Sequence, residues 1–411
     1  MSNFNKKLNL KFIPEVNIGL LGHVDHGKTT LVDALTGKWT DTHSEEIKRG
    51  ITIKLGYADA TFYECPKCKK HASTNKCQSC FTDTKPLRTV SFVDAPGHES
   101  LMATVLTGSA ILDGALLLIA ANEKCPLPQT REHLTALEVV GIKNIVIIQN
   151  KIDLVSQERV KEHYEEIKEF VKGTIAENSP IIPISAQQKI NIEYIIEAIN
   201  EFIPTPKRDE AKNPKMYIAR SFDINKPGSS ADQLVGGILG GSVVQGVLKV
   251  DGEIEIRPGM RIDNEWKPIF TRIVSLRKAS FEIEEAGPGG LLGLMTKLDP
   301  YVTKADVLAG NVVGLPGKLP KVRDKIRVDS KLLERVVGTK EMEGIQEIKP
   351  NEMLMVNIGS MRSVGIVGSI KGRKVEMNLK IPICGDDGDR VVISRQVLGR
   401  WRLIGHGTLI G

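Results

Sequence analysis

The 411-residue chain is 41% hydrophobic and 26% charged, an ordinary globular balance that excludes long disorder and, at roughly 150 residues per domain, predicts two or three domains. Its 38 glycines and 20 prolines carry no G-X-Y period, which excludes collagen, and the longest apolar run, Ala115 to Ala121, is far short of the ~20 residues that cross a bilayer. The net charge of +6 divides into −2 over residues 1–206 and +8 over 207–411, so the second half suits either a polyanionic partner such as nucleic acid or a solvated basic surface.

The N-terminus, MSNFNKKLNLKF, has no apolar h-region, so a cytoplasmic chain with no membrane association is expected. The apolar run VNIGLL reads as a buried strand and leads into Gly22-His23-Val24-Asp25-His26-Gly27-Lys28-Thr29, a G-x-x-x-x-G-K-T motif followed by the helical KTTLVDALTG. Glycines let successive backbone N–H groups curl round phosphates, and the helix N-terminus adds its dipole. Asp25, His26, Gly27, Lys28, Thr29 and Thr30 are therefore candidate nucleotide contacts, with Lys28 on the β/γ oxygens and the Thr29 hydroxyl on Mg²⁺.

Next comes C-x2-C-x8-C-x2-C, formed by Cys65, Cys68, Cys77 and Cys80. Two tight turns facing each other supply four thiolates for a tetrahedral zinc ion, a knuckle over residues 64–81, and four sulfurs leave no place for His71. The segment is Lys-rich and poor in apolar residues, so metal ligation is its expected organising energy. Cys125 and Cys384 are solitary, and six cysteines in this length are too few for a disulfide scaffold.

Four more strands, TVSFVD, GALLLIAA, NIVIIQN and PIIPIS, alternate with helical patterns, which predicts a doubly wound, mostly parallel sheet. The ends of three of them carry chemistry, as ligands bind beyond strand C-termini in such sheets. At Asp94-Ala95-Pro96-Gly97 the carboxylate can hold Mg²⁺ through water and the Gly97 N–H can meet a γ-phosphate; His98 is then within reach of in-line attack. At Asn150-Lys151-Ile152-Asp153 a carboxylate can accept from guanine N1–H and its 2-amino group, and at Ser185-Ala186-Gln187 a backbone N–H can meet O6. Four such segments in order point to a guanine nucleotide. The rhythm stops at IPTPKRDEAKNPK, which reads as a linker, and again at GLPGKLPKVRD. Short strands with Gly-rich turns follow each, so three domains are expected: 1–206 for GTP, 207–322 and 323–411 as β-barrels.

GHVDHGKTTL, RGITI, DAPGH and NKID resemble the translational GTPases related to elongation factor Tu. The resemblance implies that Arg49–Ile53 is a switch segment with Thr52 on the γ-phosphate and Mg²⁺, that His98 positions the attacking water, and that Val24 and Ile51 gate it. Within these, the inserted four-cysteine knuckle and the C-terminal RWRLIGHGTLIG resemble the gamma subunits of initiation factor 2 of archaea and eukaryotes. That family implies a GTP-dependent carrier of initiator methionyl-tRNA to the small ribosomal subunit. It also implies an alpha subunit on the second domain, a beta subunit on the first, and a second Mg²⁺ near Asp25 and the Gly50 carbonyl. Arg220, Arg272, Lys278, Arg395, Arg400 and Arg402 are candidates for tRNA phosphates or for solvated charge. A selenocysteine-specific or general elongation factor, and a GTPase subunit of sulfate adenylyltransferase, are the competing readings on the same scaffold.

Overall fold

The computed structural model of the chain describes residues 10–40, 55–95, 102–226, 228, 230, 233–333 and 345–411, with the backbone alone for 102–105. The first part is a sheet built from β1 (Pro14–Gly22), β2 (Gly56–Glu64), β3 (His71–Ala72), β4 (Lys85–Asp94), β5 (Gly114–Ala120), β6 (Ile145–Asn150) and β7 (Ile181–Pro183). The strand order is β3-β2-β4-β1-β5-β6-β7. From β4 to β7 every pairing is parallel, as the helix–strand alternation predicts. The edge is different: β2 runs antiparallel to both β4 and β3. This strand was not foreseen, although GYADATFYE alternates buried and half-buried positions along most of its length, the period-2 mark of a strand.

The parallel strands are buried on both faces, and alternate residues of the run Ala115–Ile119 belong to two separate cores. Leu117 and Ile119 pack with Leu106, Leu134, Leu137 and Ile167; Leu116 and Leu118 pack with Leu31, Leu35, Ile195 and Ile199. Helices α2 (Met102–Ser109), α3 (Pro128–Val140) and α4 (Gln157–Val171) therefore cover one face. Helices α1 (Lys28–Thr36) and α5 (Ile192–Phe202) cover the other. In α5 the buried residues Ile192, Ile195, Ile196 and Ile199 recur at the spacing of one helix face, so the sequence alone sets which side turns inward.

Two closed barrels follow. In the first, β8 (Lys215–Phe222), β9 (Ile238–Gln245), β11 (Glu253–Ile262), β12 (Glu265–Lys278), β15 (Leu292–Thr296) and β16 (Val312–Gly314) close through the β11–β12 hairpin around Met216, Ile218, Leu239, Ile256 and Leu294. The short strands β10 (Leu248–Lys249) and β14 (Glu285–Ala286) pair with each other, and β13 (Phe281–Ile283) pairs with β12. In the second, β17 (Val322–Leu332), β18 (Met353–Ile358), β19 (Met361–Lys371), β20 (Lys374–Cys384), β21 (Arg390–Val397) and β22 (Arg400–Ile410) close in the order β17-β20-β19-β18-β21-β22. Closure removes the sheet edges that would otherwise present unpaired backbone.

The stretch after α5, read as a linker, is fastened down. Arg88 donates to the Ile203 carbonyl at 3.0 Å and to Thr205 at 3.1 Å, and Arg208 reaches the Glu15 carbonyl and the Asp113 carboxylate. Its prolines stop the helix as expected, and Arg208 is spent on the first domain, while Lys207, Asp209, Glu210 and Lys212 face solvent.

Candidate functional site

Between Gly22 and Lys28 the chain turns over the C-terminal edge of the sheet. Gly27 has φ 87°, which an L side chain resists, and a Cβ there would strike the Asn150 amide. With no side chain at the cap, the first N–H groups of α1 and the positive end of its dipole are left for an anion. Lys28 is buried, its ammonium donating to the Gly22 carbonyl at 3.0 Å and the His23 carbonyl at 2.8 Å. Asp25 is exposed with φ 62°, and Val24 and Thr30 are half-buried beside it. His26 turns inward: its Nδ1 bonds to the Leu118 carbonyl at 2.8 Å, and burial holds its pKa down to about 3. What His26 brings to the loop is its backbone, whose carbonyl accepts from Asn150.

Asp94 is fully buried at the end of β4, and one of its oxygens accepts from the hydroxyls of both Thr29 and Thr40 at 2.8 Å. A hydroxyl that donates its proton to a carboxylate keeps its lone pairs for a cation. A hard oxygen pair of this kind fits Mg²⁺, with Thr29 as the ligand and Asp94 behind it. Gly50, Ile51, Thr52, Gly97 and His98 lie outside the described residues.

The loops expected to hold a base meet at the same edge. Asn150 donates to the His26 carbonyl at 2.9 Å and accepts from the Ala186 N–H at 3.0 Å, so one amide clamps the phosphate loop to the loop after β7. Ser185 accepts from the Gln188 N–H, closing that loop on itself. Lys151 is left-handed at φ 62°, and this turn leaves Asp153 exposed on a short 3-10 turn, with Gln187 also exposed. Asn150 thus acts as a brace, a role its place in NKID does not announce.

Sequence reasoning missed His133. It lies in α3, wholly buried, and its Nδ1 accepts the Gly22 N–H at 2.8 Å. Its neighbour Glu132 is also buried and pairs with Arg402 of the second barrel. Two adjacent polar residues beside the buried Leu134 and Leu137 are the only signal in the sequence, and it does not say what they meet.

The cysteines come together as expected. Cys65 Sγ lies 3.4 Å from Cys80 Sγ, and Cys68 Sγ lies 3.4 Å from Cys77 Sγ and 3.8 Å from Cys80 Sγ. All four ligand atoms are within 4.8 Å of one another. A tetrahedral ion with bonds of about 2.3 Å needs sulfurs about 3.8 Å apart, so the cluster has the size of a zinc site, and all four thiols are free. The two halves repeat one turn. Lys69 and Phe81 donate to the carbonyls of Cys65 and Cys77, both with positive φ, while the Cys65 and Cys77 N–H groups donate to Lys70 and Thr82. His71 sits in β3, paired with Glu64.

The basic candidates separate by burial. Arg402 is buried against Glu132, and Lys278 is buried with its ammonium on the Gly287 and Gly289 carbonyls. Arg220 bonds to Asp306 and to the Leu55 carbonyl, and Arg395 to Glu352 and the Gln346 carbonyl. Arg272 and Arg400 are exposed, Arg272 donating to Glu253 at 2.9 Å.

Residues 14–205 match the model of the elongation factor Tu GTP binding domain, and residues 324–409 match that of initiation factor eIF2 gamma, C terminal. The chain is 57% identical over 401 residues to translation initiation factor 2 subunit gamma of Methanocaldococcus jannaschii, covering 97% of this chain and 98% of that one. It is 58% identical to the subunit of the same name from Archaeoglobus fulgidus, covering 97% and 95%. The chain belongs to the gamma-subunit family of translation initiation factor 2. It is a translational GTPase whose first domain binds guanine nucleotide. Among solved structures, a bacterial selenocysteine-specific elongation factor EF-Sec superposes with a TM-score of 0.74 at 23% identity, over 96% of this chain and 58% of that one. Elongation factor SelB from Methanococcus maripaludis, in complex with the GTP analogue GppNHp, superposes at 0.71 and 22% identity, over 97% and 79%. These two share the fold. Among the described residues no helix is long and apolar enough to cross a membrane.

Proposed function

We propose that this GTPase carries initiator methionyl-tRNA to the small ribosomal subunit in the cytoplasm as the gamma subunit of a three-subunit factor, with GTP hydrolysis as the release switch. The observation that carries the reading is the near full-length kinship with gamma subunits on a chain whose phosphate loop, Asp94 and the Asn150 loop meet at one sheet edge. The division into 1–206, 207–322 and 323–411 belongs to the same reading, with the alpha subunit on the first barrel and the beta subunit on the GTPase domain.

In this mechanism the N–H groups of residues 25–30 cradle the phosphates and Lys28 turns from its two carbonyls to the β/γ oxygens. Thr29, Thr52 and Asp94 hold Mg²⁺, which when bound neutralises the phosphate charge, and Asp25 with the Gly50 carbonyl holds a second. Asp153 accepts from the guanine edge, a backbone N–H of Ser185-Ala186-Gln187 meets O6, and Asn150 and Lys151 shape that pocket. Gly97 senses the γ-phosphate and His98 orients the water. The ordered segments bring the GTPase domain and the first barrel together around the aminoacylated tRNA end, and loss of the γ-phosphate frees them. The four thiolates hold structural zinc. Arg272 and Arg400, exposed on the two barrels, are the favoured phosphate contacts among the basic candidates.

Filter binding of initiator methionyl-tRNA tests the reading. Tight binding is expected with a non-hydrolysable GTP analogue, stronger with alpha subunit added and much weaker with GDP. Equal affinity for elongator aminoacyl-tRNAs, or indifference to the nucleotide, would overturn it.

A further inference from the structure

The peptide at Gly22, where β1 becomes the phosphate loop, is held from both sides. Lys28 takes its carbonyl at 3.0 Å and His133 takes its N–H at 2.8 Å. Neither bond belongs to the sheet: β1 ends here, and β5 pairs alongside Gly22 only at Leu118. Gly22 itself has φ 140°, and a Cβ would strike the Leu118 carbonyl, so the peptide has little room to adjust. The loop's first turn is thus set by where the His133 imidazole stands.

His133 stands where α3 puts it, and α3 is anchored to the second barrel. Glu132, one residue back, pairs with Arg402 of β22, both buried. At the helix C-terminus, Arg390 of β21 donates to the Val139 carbonyl at 2.7 Å, where the dipole favours a cation and the final carbonyls lack intrahelical partners. Gly141, which ends the helix with φ 91°, lies so close to Arg390 that a Cβ would push it away. The barrel therefore grips α3 at mid-length and at its end, and the same helix grips the phosphate loop.

We infer that His133 is a positioning residue for nucleotide binding, and that through Glu132–Arg402 and Arg390 the seating of the second barrel sets the rate at which nucleotide leaves. The bond needs an imidazole with a bare Nδ1. Burial first, then the charge of Lys28 and the neighbours His23 and His26, hold the ring neutral, with a pKa of about 3. The acceptor is consequently present throughout the physiological range. A ligand that changes how the second barrel docks would be felt at the phosphates without touching them, through side chains in contact along one helix.

The inference rests on the phosphate loop being the nucleotide site. Its test is release of a fluorescent N-methylanthraniloyl GDP from the full chain, followed by stopped flow. His133→Leu keeps bulk and loses the acceptor; release about tenfold faster is expected. His133→Asn places an amide oxygen two bonds from Cβ, as Nδ1 is, and is expected within about twofold of the parent. Arg390→Ala is expected to speed release about threefold. A purely structural histidine would show lower melting temperatures in both His133 variants and no difference between Leu and Asn in release rate, which overturns the positioning role. An unchanged rate in Arg390→Ala overturns the link to the barrel. Should His133→Leu fail to fold, the decision falls to Asn and Arg390→Ala: a slow-releasing Asn variant with a fast-releasing Arg390→Ala supports the inference, and any other pattern overturns it. Asp153→Asn separates the underlying assumption: it should move preference from guanine to xanthine nucleotides, and if it does not, the site reading has failed rather than the role of His133.

Discussion

Around the phosphate loop two histidines are buried and neutral, and each makes its bond in that state. His26 and His133 have pKa values of about 3, lowered chiefly by burial. In the unfolded chain they protonate near 6.5, so as pH falls below that value the unfolded state takes up protons that the folded state refuses. Their contribution to stability is complete above pH 6.5 and is lost progressively towards pH 3, at about 1.4 kcal/mol per pH unit for each. Urea unfolding at pH 7 and pH 5 should accordingly differ by about 4 kcal/mol from these two residues, and most of that difference should vanish when both are replaced by Asn. The motif that made Lys28, Thr29 and Asp94 legible is local: spacing places them at strand ends. Asn150 was legible as a candidate, but its two bonds to separate loops were not. His133 was not legible at all, because its partner is 111 residues away.

Among the elements, the knuckle and the α5 helix show opposite ways of being encoded. Helix α5 carries its own instruction, isoleucines recurring on one face that pack on the sheet. The knuckle has almost no apolar content to bury; its fold is two identical turns closed by four sulfurs within 4.8 Å of one another. Structural zinc contributes roughly 10–16 kcal/mol in small domains, far more than this segment could gain by burial. Metal analysis should find about one zinc per chain, and Cys65→Ser should release it and raise hydrogen exchange over 64–83 while GDP still binds. Zinc content unchanged in that variant would refute the assignment. Strand β2 was missed for the converse reason: its alternation is real, but its mixed Gly, Ala, Asp and Thr content resembles a loop until β4 pairs with it along its whole length.

Across the whole molecule the first barrel docks on the GTPase domain through buried polar groups. Asn17, fully buried, donates to the Ile111 carbonyl at 2.8 Å and to Ser242 Oγ at 2.9 Å, and Ser242 passes its proton to the Gly290 carbonyl. Gly289 and Gly290 both have positive φ and lie against the Glu15 and Pro14 carbonyls, where a Cβ has no space. Asn17→Ala should cost about 2 kcal/mol, the penalty for unpaired buried groups, and should lower the melting temperature without changing GDP affinity. The basic excess of residues 207–411 reads differently once folded, since Arg402, Lys278, Arg220 and Arg395 are absorbed by contacts inside or between domains. By itself, the sequence determined the GTPase motifs, the cysteine tetrad and the succession of one α/β domain and two barrels, because each depends on spacing within a short segment. Tertiary structure decided which charges reach solvent, how the linker is held and what His133 grips. Those depend on residues that meet only after the domains have docked, and no local period records such a meeting.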